Sequence, residues 1–335
     1  MNCLQDIKAM ENVQCNICGN EEHEPVLTVP DCGQTLDYYQ LVRCPKCDLT
    51  FVNPRPKNLA WSKYYPEDVY YAYQNNNLQG FVPKIKLKVK NYLMEWAGGY
   101  RNQKNRSGTG RIIDRLFGEI LKDYLIGVVP SKYAGNLLDV GCGNGESLMW
   151  YRNHGWDTLG VEASKKGVIA ARSKGLEIIE SAIEEVNLPD NYFHAITMIQ
   201  VLEHLQDPKG ALSKLYRALR PGGLVVAGVP NFLCLDRQIL GKAWLPLETP
   251  RHLYYFTPKS LKNLFRAVGF NVLQVRRKTK YGVSLCQIEA SCRLEPGFRC
   301  SGSIAYLFTS PIIKALAPKD YSSTFISIYA NKMHS

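Results

Sequence analysis

Nine residues, Leu137-Leu138-Asp139-Val140-Gly141-Cys142-Gly143-Asn144-Gly145, leave little freedom to the chain around them. Asn136 to Leu138 lead into Asp139, three glycines follow at alternate positions, and a helical pattern begins at Glu146. The order is strand, tight turn, helix. The glycines let the backbone turn sharply and clear side chains from a surface where a nucleotide-type ligand can lie.

Three features favour S-adenosylmethionine over a dinucleotide. The spacing is GxGxG, so the dinucleotide fingerprint fails at its third glycine. Asp139 stands before the first glycine, where it would repel a pyrophosphate but attract an ammonium group. The next strand, Thr158 to Val161, ends in Glu162, a carboxylate able to accept from both ribose hydroxyls. The expected cofactor contacts are therefore Asp139, Gly141, Gly143, Gly145 and Glu162.

A chain of 335 residues with 45% apolar content supports one large domain and a smaller one. The formal charge of +11 suits negatively charged partners such as nucleic acid, nucleotide-sugar or phospholipid headgroups, or serves solubility alone. Met1-Asn2-Cys3-Leu4-Gln5-Asp6 lacks the basic-then-apolar pattern of a signal peptide. No apolar run approaches the roughly 18 residues that span a bilayer. Eleven cysteines in such a chain read as reduced thiols in the cytoplasm.

Cys15-Asn16-Ile17-Cys18 and Cys44-Pro45-Lys46-Cys47 form two CxxC knuckles. Each offers two thiolates at the spacing of adjacent vertices in a zinc tetrahedron, and four sulfurs close the site, as in a structural metal centre. The competing reading is two pairs of free or redox thiols. His23 and Cys32 lie between the knuckles as lesser candidates. A module this small needs metal to hold itself together.

Lys84, Lys86, Lys88 and Lys90 alternate with apolar residues, and the continuation through Tyr92-Leu93-Met94-Glu95-Trp96 reads as a basic amphipathic helix. A second basic helix is expected from Arg111 to Leu125. Such helices can lie on anionic lipid, giving peripheral membrane contact, or present a solvated face over a cap. The apolar tail from Ser303 to Ala317 is broken by Pro311 and reads as a helix packed on the sheet.

From Ser131 onward, strands and helices alternate, which implies a parallel sheet covered on both faces. Helices are expected at Glu146–His154, Ser164–Lys174 and Ser260–Ala267, with a short one at Ser181–Glu184. Strands are expected at Leu176–Ile179, Ala195–Ile199, Asn271–Thr279 and Thr324–Ala330. Ligands of open α/β sheets sit outside the carboxyl ends of the strands, which brings Gln200 to His204 to the cofactor.

Gln200-Val201-Leu202-Glu203-His204-Leu205-Gln206-Asp207-Pro208 resembles the "VLEH…DP" segment of class I S-adenosylmethionine-dependent methyltransferases. Leu219-Arg220-Pro221-Gly222-Gly223 resembles their "LRPGG" turn. The knuckles with Asp48 to Pro56, the aromatic run Trp61 to Tyr71 and the lid-like Pro250-Arg251-His252-Leu253-Tyr254-Tyr255-Phe256-Thr257-Pro258 resemble a bacterial subgroup that methylates sugars and small molecules behind an N-terminal zinc ribbon. The resemblance implies an α/β, Rossmann-like, mostly parallel seven-stranded sheet with helices on both faces. It divides the chain into a ribbon over 1–55, a helical linker or cap over 56–130 and a methyltransferase domain over 131–335, with a lid at about 231–258. It also implies that Ala182 and Ile183 frame the adenine and that Gln200 faces the cofactor. Two departures stand out. His194 replaces a common Asp, and Gln200 stands where ubiquinone-pathway O-methyltransferases of similar build carry the first Glu of a Glu-x-x-Glu-His metal cluster.

Methyl transfer is an in-line displacement at a sulfonium carbon, so the enzyme chiefly aligns nucleophile and methyl. A sugar hydroxyl, or a carbon beside a ketone, must also lose a proton. His204 beside Glu203 is the first candidate base and His252 on the lid the second, with Arg251 placed to hold an acidic group. The resemblance points to a sugar or glycan precursor of cell-surface polysaccharide as acceptor, methylated on oxygen or carbon. RNA methylation is disfavoured because no amino-methylating tetrapeptide follows the fourth strand and the ribbon has few basic residues. A non-catalytic scaffold is disfavoured by the intact Asp139, Glu162 and His204.

Overall fold

The computed structural model describes residues 10–31, 37–57, 91–100, 127–278, 321 and 323–333. The aromatic run from Trp61, most of both basic segments, Cys32 and the tail over Ser303 to Ala317 lie outside them. Residues 91–98 are helical, as the basic-helix reading expects for that stretch.

Seven strands make one sheet: β6 (Asn136–Val140), β7 (Asp157–Glu162), β8 (Ile178–Glu180), β9 (Phe193–Ile199), β10 (Leu219–Pro230), β12 (Asn271–Lys278) and β13 (Phe325–Asn331). Their order is β12-β13-β10-β9-β6-β7-β8. Every pairing is parallel except those of β13, which runs antiparallel to both β10 and β12. This is the Rossmann-like sheet expected from the alternating pattern. The chain moves one way from β6 to β7 and β8, and the other way to β9 and β10. The crevice at the carboxyl ends of β6 and β9 is therefore the topological switch point, where ligands of such sheets bind.

The strands form because their residues are nearly continuous apolar runs covered on both faces. Leu137, Leu138, Ile196, Val225 and Val226 are fully buried, each aliphatic side chain of this size contributing about 1.5–3 kcal/mol. The helices start where their caps dictate. In α1 (Glu146–Arg152), the preceding Gly145 is left-handed. Ser164 caps α2 (Lys165–Arg172) by accepting from the Gly167 amide. Asp207 caps α3 (Pro208–Ala218) by accepting from the Gly210 amide, with Pro208 at the first helical position. The short α4 (Leu235–Leu240) follows the sheet's fifth strand. In α5 (Pro258–Val268), Thr257 and Ser260 form a reciprocal capping box and Gly269 ends the helix.

One local expectation fails. Ser181 to Glu184 is a turn, closed by the Glu185 amide donating to the Ala182 carbonyl at 3.0 Å. Pro189 follows four residues later and disfavours helical backbone before it. The Leu219-Arg220-Pro221-Gly222-Gly223 turn is absorbed into β10, where it breaks the register against β9 between Leu219 and Leu224.

The N-terminal strands are β1 (Met10–Glu11), β2 (Glu24–Pro30), β3 (Tyr38–Arg43), β4 (Thr50–Val52) and β5 (Arg55–Pro56). A second sheet has the order β11-β4-β3-β2, and its outer strand β11 (Tyr254–Tyr255) comes from the lid region far down the chain. Tyr254 pairs with Phe51 and Tyr255 with Thr50. The N-terminal strands and the Tyr254–Tyr255 segment thus share a sheet, and Cys15, Cys44, Leu49 and Phe51 belong to the same apolar cluster as Leu138, Met198 and Leu202.

Candidate active site

The glycine bend has the geometry its sequence requires. Gly141, Gly143 and Gly145 take φ of 68°, 55° and 76°, a region that costs an L-residue about 1–2 kcal/mol. A Cβ on Gly141 would collide with Val201. The bend therefore packs its backbone closely against the segment after β9, with no side chain of its own at Gly141, Gly143 or Gly145.

Two carboxylates flank it. Glu162 accepts from the Gly143 amide at 2.8 Å through Oε2 and from the Ser164 amide at 2.8 Å through Oε1. These bonds aim it along the bend. Burial raises its pKa, and the two amides oppose that rise. Asp139 lies in β6 opposite Thr197 of β9 and accepts from the Thr197 hydroxyl at 2.6 Å. Burial pushes the Asp139 carboxyl up to about 7, against the Thr197 bond. A cationic ammonium would reverse that shift, so the chemistry of the donor set fits a sulfonium amino acid. Thr197 was not anticipated; its position opposite Asp139 depends on strand register, which local spacing does not reveal.

Ala182 and Ile183 stand in the turn after β8, with Ile183 buried and Ala182 half-buried. Gln200 follows β9 directly and is left-handed at φ 58°, its amide donating to the Gly228 carbonyl at 2.8 Å. That kink, strained for a non-glycine residue, turns the chain back over the bend so that Val201 covers Gly141.

Glu203, His204 and His252 come together beyond the kink. Their ligand-type atoms all lie within 4.8 Å of one another. Glu203 is 1% exposed, and neither of its carboxylate oxygens has a hydrogen-bond partner among the described residues. Burial pushes it up to about 8, with Glu248 adding to the rise. It is a proton-bearing acid at neutral pH. His204 Nδ1 lies 3.0 Å from the Arg251 carbonyl, and His252 Nδ1 lies 2.7 Å from the Pro246 carbonyl. A carbonyl only accepts, so each ring carries its hydrogen on Nδ1 and Nε2 is the basic nitrogen. Burial lowers His204 to about 3 and His252 to about 4, which keeps both imidazoles neutral. Glu248, which sequence reasoning missed, sits 3.6 Å from His252 Nε2 and 3.2 Å from the Arg251 guanidinium.

His194 lies elsewhere, between the Asn136 amide and Arg220 at the amino ends of the strands. The four knuckle cysteines gather with all sulfurs within 4.8 Å of one another, Cys15–Cys47 at 3.2 Å and Cys18–Cys44 at 3.6 Å. Zinc–sulfur bonds of about 2.3 Å in a tetrahedron place sulfurs about 3.8 Å apart, so the cluster fits a structural zinc. Gly19 and Asp48 close the two turns in left-handed conformations, donating to the Cys15 and Cys44 carbonyls. His23 instead contacts the Asn20 carbonyl and Asn53.

Comparison with known proteins places these features in a recognisable context. A family model described as a methyltransferase domain matches residues 104–275. The chain is 28% identical to a ubiquinone biosynthesis O-methyltransferase of Cereibacter sphaeroides, covering 51% of this chain and 73% of that protein. It is 30% identical to the O-methyltransferase cnsE of Penicillium expansum, over 53% and 65% of the two. It is 29% identical to a malonyl-[acyl-carrier protein] O-methyltransferase of Serratia marcescens, over 40% and 52%. It thus spans between half and three quarters of the length of these relatives. A similar solved structure is an S-adenosylmethionine-dependent methyltransferase of Archaeoglobus fulgidus, at 20% identity and a TM-score of 0.45, covering 66% of this chain and 94% of that one.

Proposed function

The chain belongs to the methyltransferase-domain family and is an S-adenosylmethionine-dependent methyltransferase, and from that premise we propose that it methylates an oxygen of a small-molecule acceptor. The narrower reading is a sugar or glycan precursor, such as a nucleotide-sugar, in cell-surface polysaccharide assembly in the cytoplasm. The O-methyltransferase relatives support oxygen as the acceptor atom. The sugar part rests on the likeness of the knuckles and lid to the ribbon-bearing subgroup. The division into ribbon, linker and methyltransferase domain at about residues 55 and 130, with a structural zinc on Cys15, Cys18, Cys44 and Cys47, belongs to the same reading. No described helix is long and apolar enough to cross a membrane.

The observation that carries the proposal is the ledge of Glu203, His204 and His252 at the carboxyl end of β9, beside the glycine bend. S-adenosylmethionine supplies an electrophilic methyl group. Asp139 and Glu162 would hold its amino and ribose groups, while Ala182, Ile183 and Gln200 would bound its base and methyl ends. His204 Nε2 takes the acceptor's proton, because a neutral imidazole needs no prior deprotonation. Glu203, protonated, can donate to the acceptor's second oxygen. His252 is the second candidate base, and Arg251 binds an acidic group of the acceptor.

Methyl-labelled S-adenosylmethionine incubated with a panel of nucleotide-sugars and with RNA tests this. The expected result is a mass gain of one methyl on a nucleotide-sugar. Label on RNA alone would overturn the small-molecule reading.

A further inference from the structure

Arg55 stands at the edge of the ribbon and touches none of the groups assigned a chemical role. Its side chain is 12% exposed. Nη1 donates to the Gln206 carbonyl at 2.8 Å and to the Tyr254 hydroxyl at 3.0 Å. Nε donates to Glu11 Oε1 at 2.9 Å, and Tyr254 itself donates to the Gln206 carbonyl at 3.1 Å. One guanidinium therefore joins three segments: β1, the segment just past His204, and the lid strand β11.

A second link runs in parallel. The Val52 amide donates to the Leu253 carbonyl at 3.0 Å, and the Leu253 amide donates to the Glu203 carbonyl at 2.8 Å. The ribbon's inner strand thus reaches the ledge through one lid residue. His252 immediately precedes Leu253, and Gln206 lies two residues beyond His204. Both imidazoles also owe their tautomer to backbone carbonyls, Arg251 and Pro246, that belong to the lid. A slip of the lid against the segment after β9 would break the His204–Arg251 contact, which crosses between them, and would leave the His252–Pro246 contact, which lies within the lid.

We infer that Arg55 is a positioning residue for methyl transfer: its forked contacts to Gln206, Tyr254 and Glu11 lock the lid onto the ledge segment and keep His204 in the tautomer that presents Nε2. This rests on the reading of the ledge as catalytic. Lysine can reproduce only part of this, since it brings one point donor group in place of a planar fork. The ribbon, in this account, is a structural part of the active site and not an appended module.

The test uses the full chain with its metal, as wild type, Arg55→Ala, Arg55→Lys and Glu11→Gln. Nitrogen-15 spectra of the imidazoles report tautomer, and hydrogen exchange reports the Leu253 and Val52 amides. Metal content and S-adenosylmethionine affinity by calorimetry serve as controls that the inference leaves unchanged. In Arg55→Ala the His204 ring signals shift from the Nδ1–H form toward a tautomer mixture while those of His252 hold, and the Leu253 amide exchanges about tenfold faster, as expected for loss of roughly one hydrogen bond's worth of protection. Glu11→Gln gives a smaller change in the same direction. Should Arg55→Ala fail to keep its metal, Arg55→Lys is read by the same spectra and shows the intermediate shift. Ring signals and Leu253 exchange identical to wild type in a folded Arg55 variant would overturn the inference. Failure of the catalytic reading looks different: His204→Gln would retain methyl transfer to the nucleotide-sugar panel while the Arg55 spectra still changed.

Discussion

The imidazoles of His204 and His252 meet edge to face, with ring centroids 4.5 Å apart and 68° between planes. One follows the sheet's fourth strand and the other lies in the lid. Each is anchored through Nδ1 to a backbone carbonyl and each is held neutral by burial. In the proposed function this pair would serve as a base that is ready without first losing a proton, beside Glu203, whose carboxyl burial pushes up to about 8.

The pH dependence of the rate follows from those positions. With His204 near 3 and His252 near 4, methyl transfer should persist down to about pH 5, well below the ordinary histidine range. A profile of kcat against pH at saturating S-adenosylmethionine, whose ammonium would keep Asp139 ionised, checks this, and a loss centred near 6.5 would mean that the base is a solvated histidine.

Stability should move the opposite way from habit. Asp139 and Glu203 hold protons in the folded chain, up to about 7 and about 8, that the unfolded chain releases near the usual carboxylate values of 3.8 and 4.5. The folded state binds more protons in that window, so the stability they contribute is present at lower pH and is lost as pH rises through the folded values. The two buried histidines are neutral when folded but still bind part of a proton each in the unfolded chain near the ordinary value of 6.5, so they offset part of this loss at the acid end of the range and little of it above about pH 7.5. Cofactor-free protein should therefore show a falling denaturation midpoint from pH 6.5 to 8. Asp139→Asn and Glu203→Gln should flatten the slope, and a midpoint rising with pH would contradict the burial argument.

Glu162→Ala removes the acceptor that orders the Gly143 and Ser164 amides and the proposed ribose contact. Charge-assisted hydrogen bonds of this kind are worth about 1.5–3 kcal/mol. Calorimetry should show S-adenosylmethionine binding weakened by roughly ten- to a hundredfold. Affinity equal to wild type would remove Glu162 from the site.

Chelation tests the ribbon. About one zinc per chain should be released, and protection of the Val52 amide, which donates to the lid's Leu253 carbonyl, should fall with it. The Gly143 amide, held by Glu162 on the main sheet, should keep its protection. Metal analysis that finds no zinc in protein purified without chelator would sink the structural-metal reading.

The sheet, its order-reversing switch point and the glycine bend were legible because strand–helix alternation and glycine spacing are local signals. The cysteine cluster was legible for the same reason, since CxxC spacing encodes its own geometry. The contacts that complete the site are not local. Thr197 faces Asp139 only through the pairing of β6 with β9. Glu248 is the exception, four residues before His252 and brought to it by a turn in which the His252 amide donates to the Glu248 carbonyl at 3.1 Å, a turn that no periodic pattern marks. Arg55 meets Gln206 and Tyr254 across most of the chain. The expected helix at Ser181 to Glu184 became a turn because helical periodicity over one turn cannot be told from the turn itself.

The central claim is that the glycine bend holds S-adenosylmethionine with its reactive carbon facing the ledge. A nuclear Overhauser experiment on protein saturated with cofactor labelled by carbon-13 at the sulfonium methyl measures that directly. The account predicts cross-peaks from the methyl to the ring protons of His204. A bound methyl that shows contacts only to residues remote from Gln200 to His204 would contradict it.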